Sequence, residues 1–396
     1  MPDHLEPSRR EFLAASALGI LGLASGAGRA SREERELLYV GTYTDDKRTE
    51  GIFLVRFDTR SGALQLEHGV EAGPNPSFLA IHPNGRVLYA VNEIDQRNGK
   101  ATGAVCAFAI APDDGALTRM NEQSSEGGSP CYLSVDRSGR ALFVANYVGG
   151  NVALLSLDQV GSLGAATQVD QHRGKGPNAE RQEGPHAHSI VADPSNRYVL
   201  AADLGVDKVI IYRLDVELGA LHHVENGDAR MHPGAGPRHI AFHPQLPMVY
   251  VVNELDSTIT TLRFDSRHGV LTPIDTQSTL PSGWTGSNSG ADIHVAPSGR
   301  VLYTSNRGHN SIAVFSIDES TGAVSLAQTI STGGDTPRNF TLDPTGRWLL
   351  VGNQNSGSIV VLARDEKTGK LSPTQQRLAV SSPVCLRFRA HVGVTT

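Results

Sequence analysis

The chain has 396 residues, with a hydrophobic content of 39%, a charged content of 19% and 42 glycines. These values exclude a disordered chain and suit a turn-rich globular protein, either one large domain or roughly two to three small ones. The formal net charge of −6 argues against a nucleic-acid binder, which needs a basic face.

The first element in chain order lies in residues 1–30. The stretch SRREFLAASALGILGLASGAGRA places the pair Arg9 and Arg10 before a short apolar run and a small-x-small ending at Ala30. It resembles a twin-arginine export signal. The apolar run is shorter than the about 20 residues a transmembrane helix needs. The segment therefore predicts a bacterial, exported, folded protein that meets the twin-arginine (Tat) translocase, resides in the periplasm or outside the cell, and keeps no stable membrane insertion after processing.

From residue 37 onward two patterns alternate. One is a strand, a tight turn and a second strand. It starts with a half copy, LLYVGTY (37–43). It continues as LAIHPNGRVLYAVNE (79–93), LSVDRSGRALFVANY (133–147), IVADPSNRYVLAADL (190–204), IAFHPQLPMVYVVNE (240–254), IHVAPSGRVLYTSNR (293–307) and FTLDPTGRWLLVGNQ (340–354). It ends with the other half, SPVCLRF (382–388). The copies recur at roughly 50 residues, a propeller-blade period. The other pattern, between them, is a strand, a glycine turn and a short strand, as in FDTRSGAL (57–64), LDVELGAL (214–221) and IDESTGAV (317–324). Its glycine supplies the positive φ of a hairpin turn.

Two hairpins per repeat predict four antiparallel strands per blade. The split first copy predicts closure, because strands from the two ends of the chain complete one blade and leave no frayed edge. The fold class is all-β, a seven-bladed β-propeller over residues 31–388, with residues 389–396 as a C-terminal tail.

Antiparallel geometry brings the start of each first strand next to the end of its partner. The leading position reads Ser77, Cys131, His188, Arg238, Ala291, Arg338 and Val384 around the ring. The trailing position reads Tyr43, Glu93, Tyr147, Leu204, Glu254, Arg307 and Gln354. Strand interiors are repetitive, and these positions are not. Unrepeated polar chemistry on a repeated frame marks a site grafted on a scaffold. Three long connectors, 165–187, 225–237 and 275–291, are expected on the same face. They carry Arg173, Lys175, Arg181, Arg230, His232 and Trp284. The pocket is expected off-centre, over His188, Arg238, Glu254, Asp292 and Arg307. His82 and His243 occupy turn positions held elsewhere by Asp and read as turn formers. Cys106, Cys131 and Cys385 are too few and too scattered for a disulfide framework or a metal site, and read as buried small apolar residues.

The stretches GPHAHSIVADP (184–194), GPRHIAFHP (236–244), VVNELDS (251–257), GADIHVAPSGRVLYTSNR (290–307) and TPRNFTLDPTGRWLLVGNQ (336–354) carry a resemblance. With them the chain, over nearly all of 37–388, resembles the bacterial lactonase family of seven-bladed propellers, which includes 6-phosphogluconolactonase and carboxy-muconate cycloisomerase types. The resemblance implies catalytic positions at His188, Arg238, Glu254 and Arg307. It also matches the family's DIH at Asp292 and His294, and these two with His186, His239, Arg338, Gln354 and Glu93 are the substrate-binding candidates. The implied activity is hydrolysis of a small anionic sugar lactone, without metal or other cofactor. An export signal sits poorly with a cytoplasmic sugar phosphate as substrate.

Lactone hydrolysis needs a base for water and donors for the oxyanion. His188 or Glu254 can be the base, and sequence does not divide the roles. Arg238 and Arg307 are forked donors for a carboxylate, phosphate or oxyanion. The same set fits a cycloisomerase acting on a muconate-type dicarboxylate. A non-catalytic propeller binding protein or glycan is the other class, with the Arg238–Glu254 pair merely sealing the ring. His186 and His188 have no third metal ligand at a supporting spacing. No G-x-S-x-G element points to a serine nucleophile.

Overall fold

The computed structural model describes residues 35–45 and 48–389. The twin-arginine segment at 1–30 and the end of the tail, 390–396, lie outside the described residues. Each repeat folds as one antiparallel sheet, and seven sheets follow one another around the ring. Their inner strands are Pro383–Phe388, Leu79–Ile81, Pro130–Val135, Ala187–Ala192, Pro237–Phe242, Ser289–Val295 and Pro337–Leu342, in blades 1 to 7. Each packs against the next, and blade 7 returns to blade 1. The short strand Ala229–Arg230 adds an outer fifth to blade 4.

Closure occurs as the split repeat predicts. In blade 1 the inner strand from the C-terminal end pairs with Arg35–Thr42, with Leu38 opposite Phe388 and Val40 opposite Leu386. Beyond the strand, the Arg389 amide donates to the Leu37 carbonyl.

The core is a set of layers between blades. Leu38, Val55 and Phe57 of blade 1, for example, meet Leu350, Ile359 and Val361 of blade 7. Second strands such as Met248–Asn253 are buried along their whole length, because a sheet covers each face. Outer strands such as Leu163–Gln171 alternate with solvent.

The repeated residues hold this stack together. The phenol groups of Tyr39, Tyr89, Tyr250 and Tyr303 each donate to a glycine carbonyl in the next blade, at Gly115, Gly161, Gly322 and Gly369, over 2.7–2.8 Å. Those glycines sit at positive φ in the second hairpin turn. His82 and His243 act in their turns as expected. Nδ1 accepts a turn amide, and Nε2 lies 2.9 Å from the carbonyl of Gly139 or Gly299 in the next blade. All three cysteines are free and buried.

Candidate functional site

One irregularity, repeated around the ring, builds the site. In blade 5 Pro237 pairs with Asn253 and His239 with Val252, so Arg238 is an extra residue on its strand. The same β-bulge makes Cys131, His188, Arg338 and Val384 extra residues in their blades, and blade 6 slips between Gly290 and Ile293. A bulge re-aims side chains that strict alternation would turn to opposite faces. In blades 1, 3, 4, 5 and 7 the leading position is thus the bulged residue, which is why its chemistry escapes the alternating pattern.

The neighbouring asparagines are structural. Asn92, Asn146, Asn306 and Asn353, each one residue before a trailing position, turn their Nδ2 onto carbonyls of the incoming connector. They fix where Glu93, Tyr147, Arg307 and Gln354 stand.

Glu254 is the centre of the arrangement. Its Oε2 accepts from Arg238 Nε at 2.9 Å and lies 2.7 Å from Arg307 Nη2, while Oε1 accepts from Arg181 Nη2 at 2.7 Å. Burial alone would raise its carboxyl, but Arg307, Arg238 and Arg181 outweigh burial and hold it well below the usual carboxylate range. Arg238 is only 2% exposed. Its Nη1 also donates to the Ala291 carbonyl at 2.6 Å and faces His239 Nε2 at 3.1 Å. Burial, with Arg307 and Arg338 nearby, lowers it to about 10, so it stays charged at neutral pH. Arg307 also donates from Nη2 to the Gly290 carbonyl, and among the described residues its buried Nε has no hydrogen-bond partner.

His188 packs edge-on against Tyr147 and His239, with ring centroids 5.6 and 5.4 Å away. Its Nδ1 lies 3.7 Å from Cys131 Sγ, and among the described residues Nε2 has no hydrogen-bond partner. Burial first, then Arg238, push the imidazole well below its ordinary value, so it is neutral.

The row beneath is a closed network. His239 Nδ1 is 2.8 Å from Asp292 Oδ1, and burial with Arg238 lowers His239 to about 3. A neutral His239 donates from Nδ1 and accepts from Arg238 at Nε2. Asp292 also meets His294 Nε2 at 3.0 Å, Asn339 Nδ2 and two backbone amides. His239 and Asp292, expected to touch substrate, have their polar atoms engaged below the mouth. They support Arg238 from beneath. His294 lies two residues further along the same strand, against Phe340.

The remaining candidates surround the mouth and channel. Arg338 donates to Tyr43 Oη at 2.9 Å, and Tyr43 donates to Glu93. Ser77 donates to the same Glu93 carboxylate. Ser77, Glu93, Cys131, Arg238, His239 and Arg338 line a slot with about 10 Å³ of room, one water wide. Gln354 instead faces a larger hollow near Tyr43 and Ser382, and its Oε1 is unpartnered. His186 stacks on Tyr147, 4.5 Å between centroids, and contacts Glu183 at the rim.

Arg181 is the residue to which sequence gave no role. It sits in the connector before blade 4, 73 residues from the carboxylate it binds. The signals in the sequence are its place on a long connector expected on this face and the charge density of GKGPNAERQEGPHAH (174–188). The connector is anchored by Gln182, whose Nε2 donates to the Leu204 carbonyl and to Asp207 Oδ1. Asp207 in turn accepts from the amides of Gly234 and Gly236 in the next connector.

Four arginines thus face two glutamates at the mouth, leaving excess positive charge. Such a field attracts anions and repels divalent cations. Among the described residues, no group of three or more His, Cys, Asp or Glu is arranged to hold a metal ion.

Residues 37–388 match the family described as lactonase, 7-bladed beta-propeller. The chain is 38% identical over 302 residues to a 6-phosphogluconolactonase of Bacillus subtilis (strain 168), covering 76% of this chain and 83% of that protein. It is 35% identical over 307 residues to a 6-phosphogluconolactonase of Formosa agariphila, covering 76% and 85%. Among solved structures, the periplasmic gluconolactonase of Pseudomonas aeruginosa superposes with a TM-score of 0.84 at 34% identity, over 90% of this chain and 99% of that one. Taken with the closed ring of seven blades, these likenesses make the chain a member of the seven-bladed β-propeller lactonase family.

Proposed function

We propose that the protein is a lactonase that hydrolyses the ring ester of a small anionic sugar lactone. The observation that carries this reading is an ionised Glu254 gripped by three arginines beside a neutral His188. His188 Nε2 takes a proton from water, and the hydroxide adds to the carbonyl carbon. The carbonyl oxygen becomes an oxyanion, which the positive charges of Arg238 and Arg307 stabilise. The C–O bond of the ring breaks, and the departing alkoxide recovers the proton from His188. Glu254 stabilises the transient imidazolium and remains ionised, since both of its oxygens are held by arginines. The relatives named for lactone hydrolysis support the reaction class.

The positive charge this reaction needs comes from arginine, so the enzyme works without a metal. The decisive measurement is hydrolysis of a panel of aldonolactones by the purified mature protein, with and without EDTA. Turnover that survives EDTA supports the reading, and loss restored by added cation overturns metal independence. Arginines that hold a dicarboxylate would also suit muconate cycloisomerisation, so a muconolactone belongs in the panel.

We further propose export through the Tat translocase to the periplasm. Arg9 and Arg10, the short apolar run after them and Ala30 support it, as does the likeness to a periplasmic gluconolactonase. Arg9→Lys with Arg10→Lys should leave the protein in the cytoplasmic fraction; unchanged export would refute the route.

A further inference from the structure

We infer that Arg181 is the specificity-determining residue of the site, reading an anionic group on the substrate away from the scissile ester. The inference rests on the lactonase reading and concerns which lactones are preferred. The mouth holds four arginines, but they are not equally available. Arg238 is enclosed and engaged with Glu254, Ala291 and His239. Arg338 lies over the Tyr43 ring, 5.3 Å from its centroid, and donates to its hydroxyl. The Arg307 side chain is 13% exposed and turned inward onto Glu254 and Gly290. The Arg181 side chain is 41% exposed.

Arg181 touches its neighbours through one nitrogen. Nη2 donates to both Tyr147 Oη and Glu254 Oε1. Among the described residues, Nε and Nη1 have no hydrogen-bond partner. Nη2 is therefore tied to the reacting centre, and Nε and Nη1 remain as two separate donors with Cδ between them. Each can donate singly to an oxygen of a phosphate or carboxylate, and the guanidinium charge stays half-exposed beside them. The Gln182–Asp207 anchor fixes the backbone below it, so little loop ordering is needed when an anion arrives. The geometry suits a lactone whose ester lies at His188 and whose phosphorylated or carboxylated tail extends toward the connector. Relatives are named for both a phosphorylated and an unphosphorylated lactone, and Arg181 is the residue here that would tell the two apart.

The test has two arms. In the kinetic arm, wild type, Arg181→Ala and Arg181→Lys hydrolyse glucono-δ-lactone and its 6-phosphate. The alanine variant should raise KM for the phosphorylated lactone at least about tenfold. Any loss through its contact with Glu254 falls on both lactones alike, so kcat/KM should fall at least about tenfold further for the phosphorylated lactone than for the neutral one. Lysine should restore part of that difference. An equal loss of kcat/KM on both lactones would mean that Arg181 only positions Glu254, and would overturn the inference. In the binding arm, calorimetry compares 6-phosphogluconate with gluconate. The phosphorylated acid should bind the wild type more tightly, and Arg181→Ala should erase the difference. No preference in wild type, or a preference retained in the variant, sinks the inference even if hydrolysis is real. A wild type that turns over neither lactone but binds 6-phosphogluconate through Arg181 sinks the lactonase reading instead.

Discussion

Arg238 and Glu254 stand sixteen residues apart in the chain and form a 2.9 Å ion pair that solvent barely reaches. The bulge puts Arg238 on the channel side, and Asn253 pairs with Pro237 to end the adjoining strand just before Glu254. The pair therefore seals blade 5 and also forms the centre of the site. Two more arginines converge on the same carboxylate, which gives the pair consequences that a simple structural bridge would lack.

Removing the carboxylate should harm stability and activity together. Glu254→Ala leaves a buried Arg238 without its counter-charge, and breaking a buried pair from one side costs about 3–5 kcal/mol. The thermal midpoint should fall, and turnover should drop below detection. Arg181→Ala removes the exposed member of the cluster and should cost no more than about 1 kcal/mol. Similar midpoints for the two variants would contradict this ranking.

The pH profile should lack the inflection usual for a catalytic imidazole. The working form of His188 is neutral, and its environment keeps it neutral well below its ordinary value. On falling from pH 8 to pH 6, kcat/KM should stay flat. His188→Ala should reduce kcat/KM about a hundredfold or more, the scale of a lost general base. A wild-type rate that halves near pH 6.5 would count against this assignment.

Acid should destabilise the fold through the same buried imidazoles. In the folded protein His239 is lowered to about 3, whereas in the unfolded chain it returns to about 6.5. Protons thus favour the unfolded state as pH falls below about 6.5, and the contribution is lost progressively down to about pH 3. Denaturation midpoints should decline from pH 6.5 to pH 4. His239→Gln should flatten that slope by up to one proton. An unchanged slope would place the acid-sensitive group elsewhere.

The tyrosine bolts between blades should matter for stability alone. Tyr89→Phe removes one buried hydrogen bond, to the Gly161 carbonyl, and should cost about 1 kcal/mol with kcat/KM unchanged. Gly161→Ala should cost more. A Cβ there would lie 2.8 Å from Val87 Cγ2, at a backbone φ of 87° that other residues resist. Thermal midpoints of the two variants, with lactone turnover alongside, check the ranking.

Much of this was readable before any coordinates. Period, paired strands and turn glycines are local signals, and they recur seven times, so the blades and their closure follow from the chain itself. The convergence of His188, Arg238, Glu254 and Arg307 followed from antiparallel pairing and ring symmetry. The turn roles of His82 and His243 followed from comparing repeats. The repeated Tyr and Asn looked like monotonous strand residues, although their hydroxyls and amides tie blade to blade and strand to connector.

What sequence alone determined is therefore the frame and the residues facing its axis, because both depend on a pattern that the chain repeats. Tertiary structure decided their ranking by depth and by partner. The inserted residue in the inner strand of blade 5 turns Arg238 toward Glu254 and leaves His239 and Asp292 locked beneath it. Arg181 arrives on a connector that belongs to no repeat, held by Gln182 and Asp207, and no spacing in the chain announces its distance from Glu254. Hydrogen bonds and charges act through space, and the bulges and loops that set those distances leave little trace in hydrophobic periodicity.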